Sequence, residues 1–410
     1  MARGTANLES RSHHPVLDRG RNGRWILVLL HRYVGLSIAG FLVIAGLTGA
    51  VLTFDPELDA ALNPDLFTAP APQKDRLPLD ELIRRVQKAD ARVAVEAAFI
   101  PLEPNQSLIL NVGPRAGVTA LSFDQMFVDP ATGTVLGRRL WGACCLERQH
   151  LIPFLYEVHM TLFLPAGAGA LLMGGVALAW FFDSFVGLAL AWPRSGKRKR
   201  GWSKALTFKR SASRFRRMFD LHRLAGLWPW PLLLFSAMTG ASINLREELF
   251  KPLVGMLSPL SVIVFEKPAD QVRDAAELSF DDAAKTAIKA GKELFQDPII
   301  AYISYARSVG VYRVAIAERH GNPRNGMGPS WLYIDGRTGL VRDREVMGFG
   351  TPGDVFLQAQ LPIHNGRIAG DAGRALTAAF GVAVAVLSVS GVYLWWRKRT
   401  ARRASRVFAG

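Results

Sequence analysis

The stretch HRYVGLSIAGFLVIAGLTGAVL at residues 31–52 returns in altered form as HRLAGLWPWPLLLFSAMTGASI at residues 222–243. In both copies a histidine stands four residues before a glycine and seventeen before a Thr-Gly-Ala motif, and the copies are 191 residues apart. Each stretch is long and apolar enough to cross a bilayer. Because a histidine within a membrane span is costly and usually functional, the repeat predicts a ligand shared between two helices.

Two further apolar runs bring the total to four in this 410-residue, 50% hydrophobic chain, which predicts a membrane protein with four transmembrane α-helices. The net charge of +16 is concentrated in short segments. Residues 193–221 carry eleven Lys or Arg against one acid, Asp220, and both ends of the chain are basic. Basic short segments mark the cytoplasmic side. The charge is therefore a topology signal that places both termini in the cytoplasm, and it does not indicate nucleic-acid binding.

The predicted segments alternate between spans and connections. They are an N-terminal tail (1–24), TM1 (25–54), an outer domain (55–150), TM2 with its entry (155–192), a basic loop (193–220), TM3 (221–246), a second outer domain (247–360), TM4 with its entry (361–396) and a basic tail (397–410). Each outer segment shows an amphipathic helix, several strands and an Asp-x-x-Thr-Gly turn. We therefore expect two parallel repeats of span, small α+β domain and span, related by an axis along the membrane normal.

Four of the eight histidines belong to the repeat. His31 corresponds to His222, and His159 corresponds to His364. From His31 to the outer end of its helix is about 23 residues, or roughly 35 Å, so one metal or haem cannot join the inner pair to the outer pair. The sequence predicts two stacked sites. Solvated surface positions are expected for the other four, His13, His14, His150 and His320.

A two-histidine site suits haem, because the porphyrin supplies four equatorial nitrogens and the protein supplies the axial ligands. Zinc or copper would recruit further Cys, His or carboxylate ligands, and the spans offer no such cluster. Gly35 and Gly226 lie four residues beyond His31 and His222, on the same helix face, where they leave space for a flat macrocycle. The alternative for these glycines is simple close packing of helices.

Charged residues accompany the inner pair. Arg32 and Arg223 follow the two histidines and are candidates to bind haem propionates, although they can equally snorkel to lipid phosphate. Asp183 lies at a similar depth in the second span, where it is expected to pair with Arg32 or Arg223 or to carry protons. The adjacent Cys144 and Cys145 are expected to be isolated thiols, with a strained vicinal disulfide as the alternative. The absence of a Cys-x-x-Cys-His motif excludes covalent c-type haem.

These motifs resemble the PepSY-associated transmembrane family of bacterial iron-regulated inner-membrane proteins, which includes di-haem ferrisiderophore reductases. The resemblance covers about residues 22–400 and rests on the duplicated His-containing stretches, the VDPATGTVLG and IDGRTGLVRD segments and the surroundings of His159 and His364. It implies two PepSY-like periplasmic domains and two b-type haems with His31, His222, His159 and His364 as axial ligands. It also implies reduction of a ferric siderophore in the periplasm by electrons that cross the inner membrane.

Other functions fit parts of the sequence. A non-enzymatic scaffold or regulator would use the outer domains to bind a periplasmic partner, and a solute transporter would use the parallel repeat. Four spans separated by large outer domains leave little space for a central pathway, which disfavours the transporter. Because no dinucleotide or phosphate-binding motif occurs, the electron donor for a reductase must be a cytoplasmic reductase or a membrane quinol.

Overall fold

The computed structural model describes residues 19–70, 76–193, 202–203, 206–264, 277–320 and 325–407. Residues 194–201 and 204–205 of the predicted basic loop, including Arg194 and Lys197, lie outside the described residues, as do His13 and His14.

The described chain alternates long apolar helices with segments of mixed helix and strand. The helices are α1 (Arg19–Leu52), α2 (Asp55–Leu62), α3 (Pro64–Phe67), α4 (Leu79–Ala89), α5 (Leu151–Thr161), α6 (Ala166–Ala191), α7 (Arg214–Leu227), α8 (Trp230–Asn244), α9 (Lys251–Leu257), α10 (Phe280–Gly291), α11 (Pro352–His364) and α12 (Gly370–Val407). The strands are β1 (Val93–Phe99), β2 (Leu108–Pro114), β3 (Gln125–Val128), β4 (Val135–Arg139), β5 (Pro298–Ala306), β6 (Val311–Glu318), β7 (Ser330–Asp335) and β8 (Val341–Glu345).

Among the described residues, three helices are long and apolar enough to cross a membrane, namely α1, α6 and α12. In each, only 22% of the most apolar 18-residue window is buried inside the protein. Exposed apolar residues such as Leu47, Leu171 and Val389 therefore form surfaces suited to lipid rather than to water. This exposure identifies a membrane protein.

The predicted span over residues 221–246 is a bent pair of helices rather than one continuous helix. α7 and α8 meet at an angle of 63° across a short break. Pro229 and Pro231 explain the break, because proline lacks the backbone N–H and its ring clashes with the carbonyl four residues earlier. The first copy has Ile38 and Gly40 at the corresponding positions, and α1 runs through them unbroken.

The two outer segments form a single sheet, which differs from the two separate domains that the sequence predicts. The eight antiparallel strands lie in the order β4-β3-β2-β1-β5-β6-β7-β8. β1 pairs with β5 in the centre, with Ala97 opposite Ser304 and Phe99 opposite Tyr302. Pairing at this seam covers the two edges that separate four-stranded sheets would expose, and α4 and α10 pack on one shared core.

A vicinal disulfide joins Cys144 and Cys145 in the loop before α5, so the expectation of isolated thiols is wrong. The expectation that His150 is a solvated surface residue is also wrong. It is buried at 9% exposure immediately before α5, whereas His320 is exposed as expected.

The helices α4 and α10 cap each other reciprocally. The carboxylate of Asp281 accepts hydrogen bonds from the backbone N–H groups of Leu79 and Asp80, at 2.9 and 3.0 Å. In return, the Asp80 carboxylate accepts from the N–H groups of Phe280 and Asp281, at 3.1 Å each. Two first-turn donors of each helix are thus satisfied by the other repeat, which locks the two halves of the sheet domain together.

Replacing Asp281 with alanine is expected to weaken this lock by about 1–2 kcal/mol, the usual cost of losing a helix cap. The measurement is amide hydrogen exchange, which should accelerate at Leu79 and Asp80 at the start of α4. Asp282→Ala is the matched control, since the neighbouring Asp282 is half exposed and contacts Ser279 and Lys285 instead. Equal exchange in the two variants would contradict the capping account.

Candidate functional site

One histidine pair lies near the sheet domain and is called the proximal pair. His159 on α5 and His364 at the end of α11 have ring centroids 6.2 Å apart with an interplanar angle of 52°. Neither ring lies on a spanning helix of its own. Each instead packs beside a Thr-Gly-Ala motif, His159 against Thr48 on α1 and His364 against Thr239 on α8.

The other pair, called the distal pair, lies toward the opposite ends of the spans. His31 on α1 and His222 on α7 also have ring centroids 6.2 Å apart, with an interplanar angle of 54°. Thr48 follows His31 by seventeen residues of unbroken helix, so the two pairs are separated by about 25 Å along α1. The structure thus brings together the residues that the depth argument paired.

Hydrogen bonds at the proximal pair determine which ring nitrogen carries the proton. Thr48 donates its single hydroxyl hydrogen to the carbonyl of Ile44 at 2.7 Å, so toward His159 Nδ1, at 2.9 Å, the hydroxyl must accept. Thr239 repeats this arrangement, donating to the carbonyl of Phe235 and accepting from His364 Nδ1 at 2.9 Å. Both Nδ1 atoms are therefore protonated, and each Nε2 keeps its lone pair.

The distal pair reaches the same protonation by other means. His31 Nδ1 donates to the carboxylate of Asp183, at 2.9 and 3.1 Å from its two oxygens. His222 Nδ1 donates to the backbone carbonyl of Leu387 at 3.0 Å, with Ser390 Oγ at 3.1 Å. All four histidines thus hold Nδ1 in a hydrogen bond, which in the neutral ring leaves the Nε2 lone pair to bind a metal.

Four glycines seat the four rings. A Cβ added to Gly49 would lie 2.9 Å from His159 Cε1, and one added to Gly240 would lie 3.4 Å from His364 Cε1. In the distal pair, a Cβ on Gly187 or Gly391 would lie 3.4 or 3.0 Å from Cε1 of His31 or His222. These glycines allow the imidazoles to approach the neighbouring helix backbone. Gly49 and Gly240 belong to the repeated Thr-Gly-Ala motifs, but sequence reasoning assigned this contact to none of the four glycines.

The glycines predicted to border the cofactor, Gly35 and Gly226, have a different neighbour. A Cβ on Gly35 would lie 3.9 Å from Asp183 Oδ2, and a Cβ on Gly226 would lie 3.7 Å from Leu387 Cδ1. Asp183 and Leu387 therefore occupy equivalent places in the two repeats. This correspondence makes the distal pair asymmetric, because a carboxylate stands on one side and a leucine on the other.

The charged residues near the distal pair are also placed by the structure. Asp183 binds His31 rather than an arginine, so its predicted pairing with Arg32 or Arg223 is wrong. Arg223 donates to the fully buried Asp220 and to the carbonyl of Thr207. Arg32 is half-buried on α1 and has no ion pair among the described residues.

The donor set fits a group that brings its own equatorial ligands. A metal–imidazole bond is about 2 Å long and the ring centroid lies about 1 Å beyond the nitrogen, so two imidazoles on one ion stand roughly 6 Å apart. Simple aromatic packing gives a similar separation, but it does not explain four Nδ1 protons held in one tautomer. Within the described ranges, no three His, Cys, Asp or Glu residues cluster as a bare ion would require.

The fold and its paired histidines define an integral membrane protein whose apolar helices carry an antiparallel sheet domain. The family model described as the PepSY-associated TM region matches residues 28–398, and the chain belongs to this family. No curated protein matches the sequence.

Proposed function

We propose that this protein is a haem-bearing electron conduit of the bacterial inner membrane that reduces ferric siderophores or other ferric chelates on the side of the sheet domain. The observation that carries the proposal is the pair of two-histidine sites, separated by about 25 Å along α1, with Nδ1 of every ring held in a hydrogen bond. When bound, b-type haem at each site supplies a centre that takes up and releases one electron. Two such sites in series connect opposite faces of a bilayer.

The chain's own residues hold these centres in place. His31 and His222 would hold a haem at the distal site, and His159 and His364 would hold one at the proximal site. The hydroxyls of Thr48 and Thr239 fix the orientation of the proximal rings. The hydrogen bonds at Nδ1 hold each imidazole in the tautomer whose Nε2 can bind a metal.

The asymmetry of the distal site favours electron flow toward the sheet. The Asp183 carboxylate accepts a hydrogen bond from His31 Nδ1 and would strengthen electron donation by His31 to a bound haem, which would stabilise the oxidised state of that haem. The proximal histidines face only neutral hydroxyls, which stabilise it less. The distal site is therefore the one with the lower reduction potential, suited to receive electrons from a membrane quinol or a cytoplasmic reductase.

The chemistry at the end of the path is a one-electron reduction. The chelate gains one electron as Fe(III) becomes Fe(II), and the conduit loses one. Hard oxygen ligands hold the more highly charged ion better, so reduction loosens the iron for release.

The experiment is a reduced-minus-oxidised absorption spectrum of protein purified from haem-replete cells, followed by anaerobic mixing of the reduced protein with a ferric chelate. We expect about two b-type haems per chain, one for each histidine pair. Reoxidation of the haem should match, electron for electron, the Fe(II) captured by a ferrous-specific chromophoric chelator. A colourless protein, or a haem protein whose reoxidation releases no Fe(II), would contradict the proposal.

A further inference from the structure

The ends of α7 and α12 that lie away from the sheet domain carry a basic surface, here called the distal basic surface. α12 packs along α7, and the Lys398 ammonium lies 5.9 Å from the centre of the Phe215 ring. Ten exposed cations belong to residues 206–223 and 397–404, namely Lys209, Arg210, Arg214, Arg216, Arg217, Arg397, Lys398, Arg399, Arg402 and Arg403. The charge is therefore concentrated on two helices in contact and on the segment that enters α7.

Almost no negative charge balances this surface. Residues 206–223 contain one acid, Asp220, and residues 397–404 contain none. Asp220 is fully buried and binds Arg216 and Arg223, so its charge is already neutralised within the protein. An acidic surface that approaches these helices therefore meets a positive field that nothing on them opposes.

The cations of α12 also share one face of the helix. At about 100° per residue, Lys398, Arg399, Arg402 and Arg403 fall within less than half of the helix circumference. Lys398 on that face lies over Phe215 of α7, so the face is turned toward α7 and the two helices add their charges. The orientation of a membrane protein requires only the number of cations on one side and not a shared face.

α12 extends beyond the surface of the bilayer. Trp395 and Trp396 indicate the interfacial level, and Arg402 and Arg403 follow Trp396 by six and seven residues of continuous helix, or about 10 Å. The headgroup region of one leaflet is only roughly 5–8 Å thick. The last cations therefore reach past the lipid headgroups into water, where a soluble protein can contact them.

The distal basic surface lies close to the distal histidine pair. His222 is on α7, and its ring packs beside Gly391 of α12. Arg217 precedes His222 by five residues and Arg399 follows Gly391 by eight, which corresponds to about 8 and 12 Å along the two helices. A redox protein bound to these cations would therefore lie nearer to the distal site than to the proximal one.

We propose that the distal basic surface is the docking site of an acidic one-electron carrier protein, of the flavodoxin kind, that supplies the electrons of the conduit. The chain has no dinucleotide or phosphate-binding motif of its own, so its electrons come from another molecule. A membrane quinol is uncharged and gains nothing from cations that stand in water. In each transfer the carrier loses one electron and the conduit gains one. The inference deepens the proposed reductase function and rests on it.

The test measures the binding of purified flavodoxin to the full-length protein in nanodiscs of zwitterionic phosphatidylcholine, by isothermal titration. Raising the ionic strength from about 0.1 M to about 1 M shortens the Debye length from about 10 Å to about 3 Å and should weaken binding at least about tenfold. Cytochrome c, a one-electron carrier with a basic surface, should not bind. Absence of flavodoxin binding, or equal binding of cytochrome c, would overturn the proposal.

Paired charge reversals locate the site. Arg399→Glu with Arg403→Glu on α12, and Arg214→Glu with Arg217→Glu on α7, should each weaken flavodoxin binding at least about tenfold. Arg115→Glu with Arg307→Glu is the matched control, because it reverses two exposed cations of the sheet domain and should leave binding unchanged. Equal affinities in the control and in both test variants would place the flavodoxin elsewhere.

The kinetics of electron entry separate docking from a general defect of the fold. Reduced flavodoxin should reduce the protein at least about tenfold more slowly in the two test variants, since electrostatic steering changes association rates by about 10- to 1,000-fold. Reduction by dithionite, a small molecule that needs no docking surface, should proceed as in wild type. A variant that is slow with both reductants would contradict the docking role.

Anionic lipid is the competing occupant of these cations. Flavodoxin binding should persist when phosphatidylglycerol is added to the nanodiscs, because the cations beyond the headgroups remain accessible. Loss of binding on this addition would assign the surface to anionic lipid and overturn the proposal.

Failure of this inference is distinguishable from failure of the proposed function. Flavodoxin binding is measured without a ferric chelate and is independent of haem content. Protein that binds flavodoxin through these cations but holds no haem, or cannot reduce a ferric chelate, contradicts the reductase proposal alone. Chemically reduced protein that passes electrons to a ferric chelate but does not bind flavodoxin contradicts the docking site alone.

Discussion

Alanine at His159 is expected to abolish the same haem as alanine at His364, and to leave the haem of the distal pair in place. The 6.2 Å separation of the two ring centroids would allow one central ion to bind both Nε2 atoms, so the same haem would require both rings. His31→Ala and His222→Ala should remove the other haem. Each single variant should therefore lose about half of the haem absorbance, and ferric chelate reduction should fall by more than about 100-fold, beyond the 10–100-fold cost of losing a hydrogen-bond partner of a ligand.

The haem that survives in each variant is its internal control, because an unfolded protein would lose both. His320→Ala is the external control, since that ring is exposed and belongs to neither pair. The pairing is wrong if His31→Ala and His159→Ala abolish the same haem. It is also wrong if a single variant keeps both haems with unchanged spectra.

The two sites could be predicted because the sequence encodes both the depth of each histidine in the membrane and the histidine that pairs with it. The position of a residue along a membrane helix follows from its number and the rise per residue, so the depths of His31 and His222 are known once the spans are recognised. The repeat then supplies the partner of each ring. The helices and strands of the outer segments could be predicted in the same way from their periodicity and their Asp-x-x-Thr-Gly turns.

The features that sequence reasoning missed depend on the rotation of each helix about its axis and on the pairing of edge strands that lie far apart in the sequence. Asp183 binds His31 because α6 presents that face to α1, and no depth argument distinguishes this partner from an arginine at the same level. The seam between β1 and β5 joins strands about 200 residues apart, and edge pairing of this kind leaves no local pattern. Pro229 and Pro231 indicate a break before α8. The span was predicted from its apolar length alone, which does not reveal the break.

The Asp183 carboxylate places a negative charge at the distal site that the proximal site lacks. A neutral replacement tests how much this charge lowers the distal midpoint potential. Asp183→Asn keeps an acceptor for His31 Nδ1 but removes the charge, so the oxidised state of the distal centre loses its stabilisation. We expect its midpoint potential to rise by about 60 mV, equivalent to a tenfold change in the ratio of reduced to oxidised centre, with the proximal potential unchanged. Redox titration followed by absorbance measures both centres in one sample.

The repeat provides a matched rescue for this variant. Leu387 occupies the place relative to His222 that Asp183 occupies relative to His31, since each faces the glycine four residues beyond its histidine. Asp183→Asn combined with Leu387→Asp therefore transfers the carboxylate to the other axial ligand, and it should return the distal potential toward the wild-type value. Ser390→Ala, which removes only a neutral hydroxyl near His222, should change it little. A potential that rises equally in Asp183→Asn and Ser390→Ala would show that the charge of Asp183 does not set it, and the direction of electron flow would then need another cause.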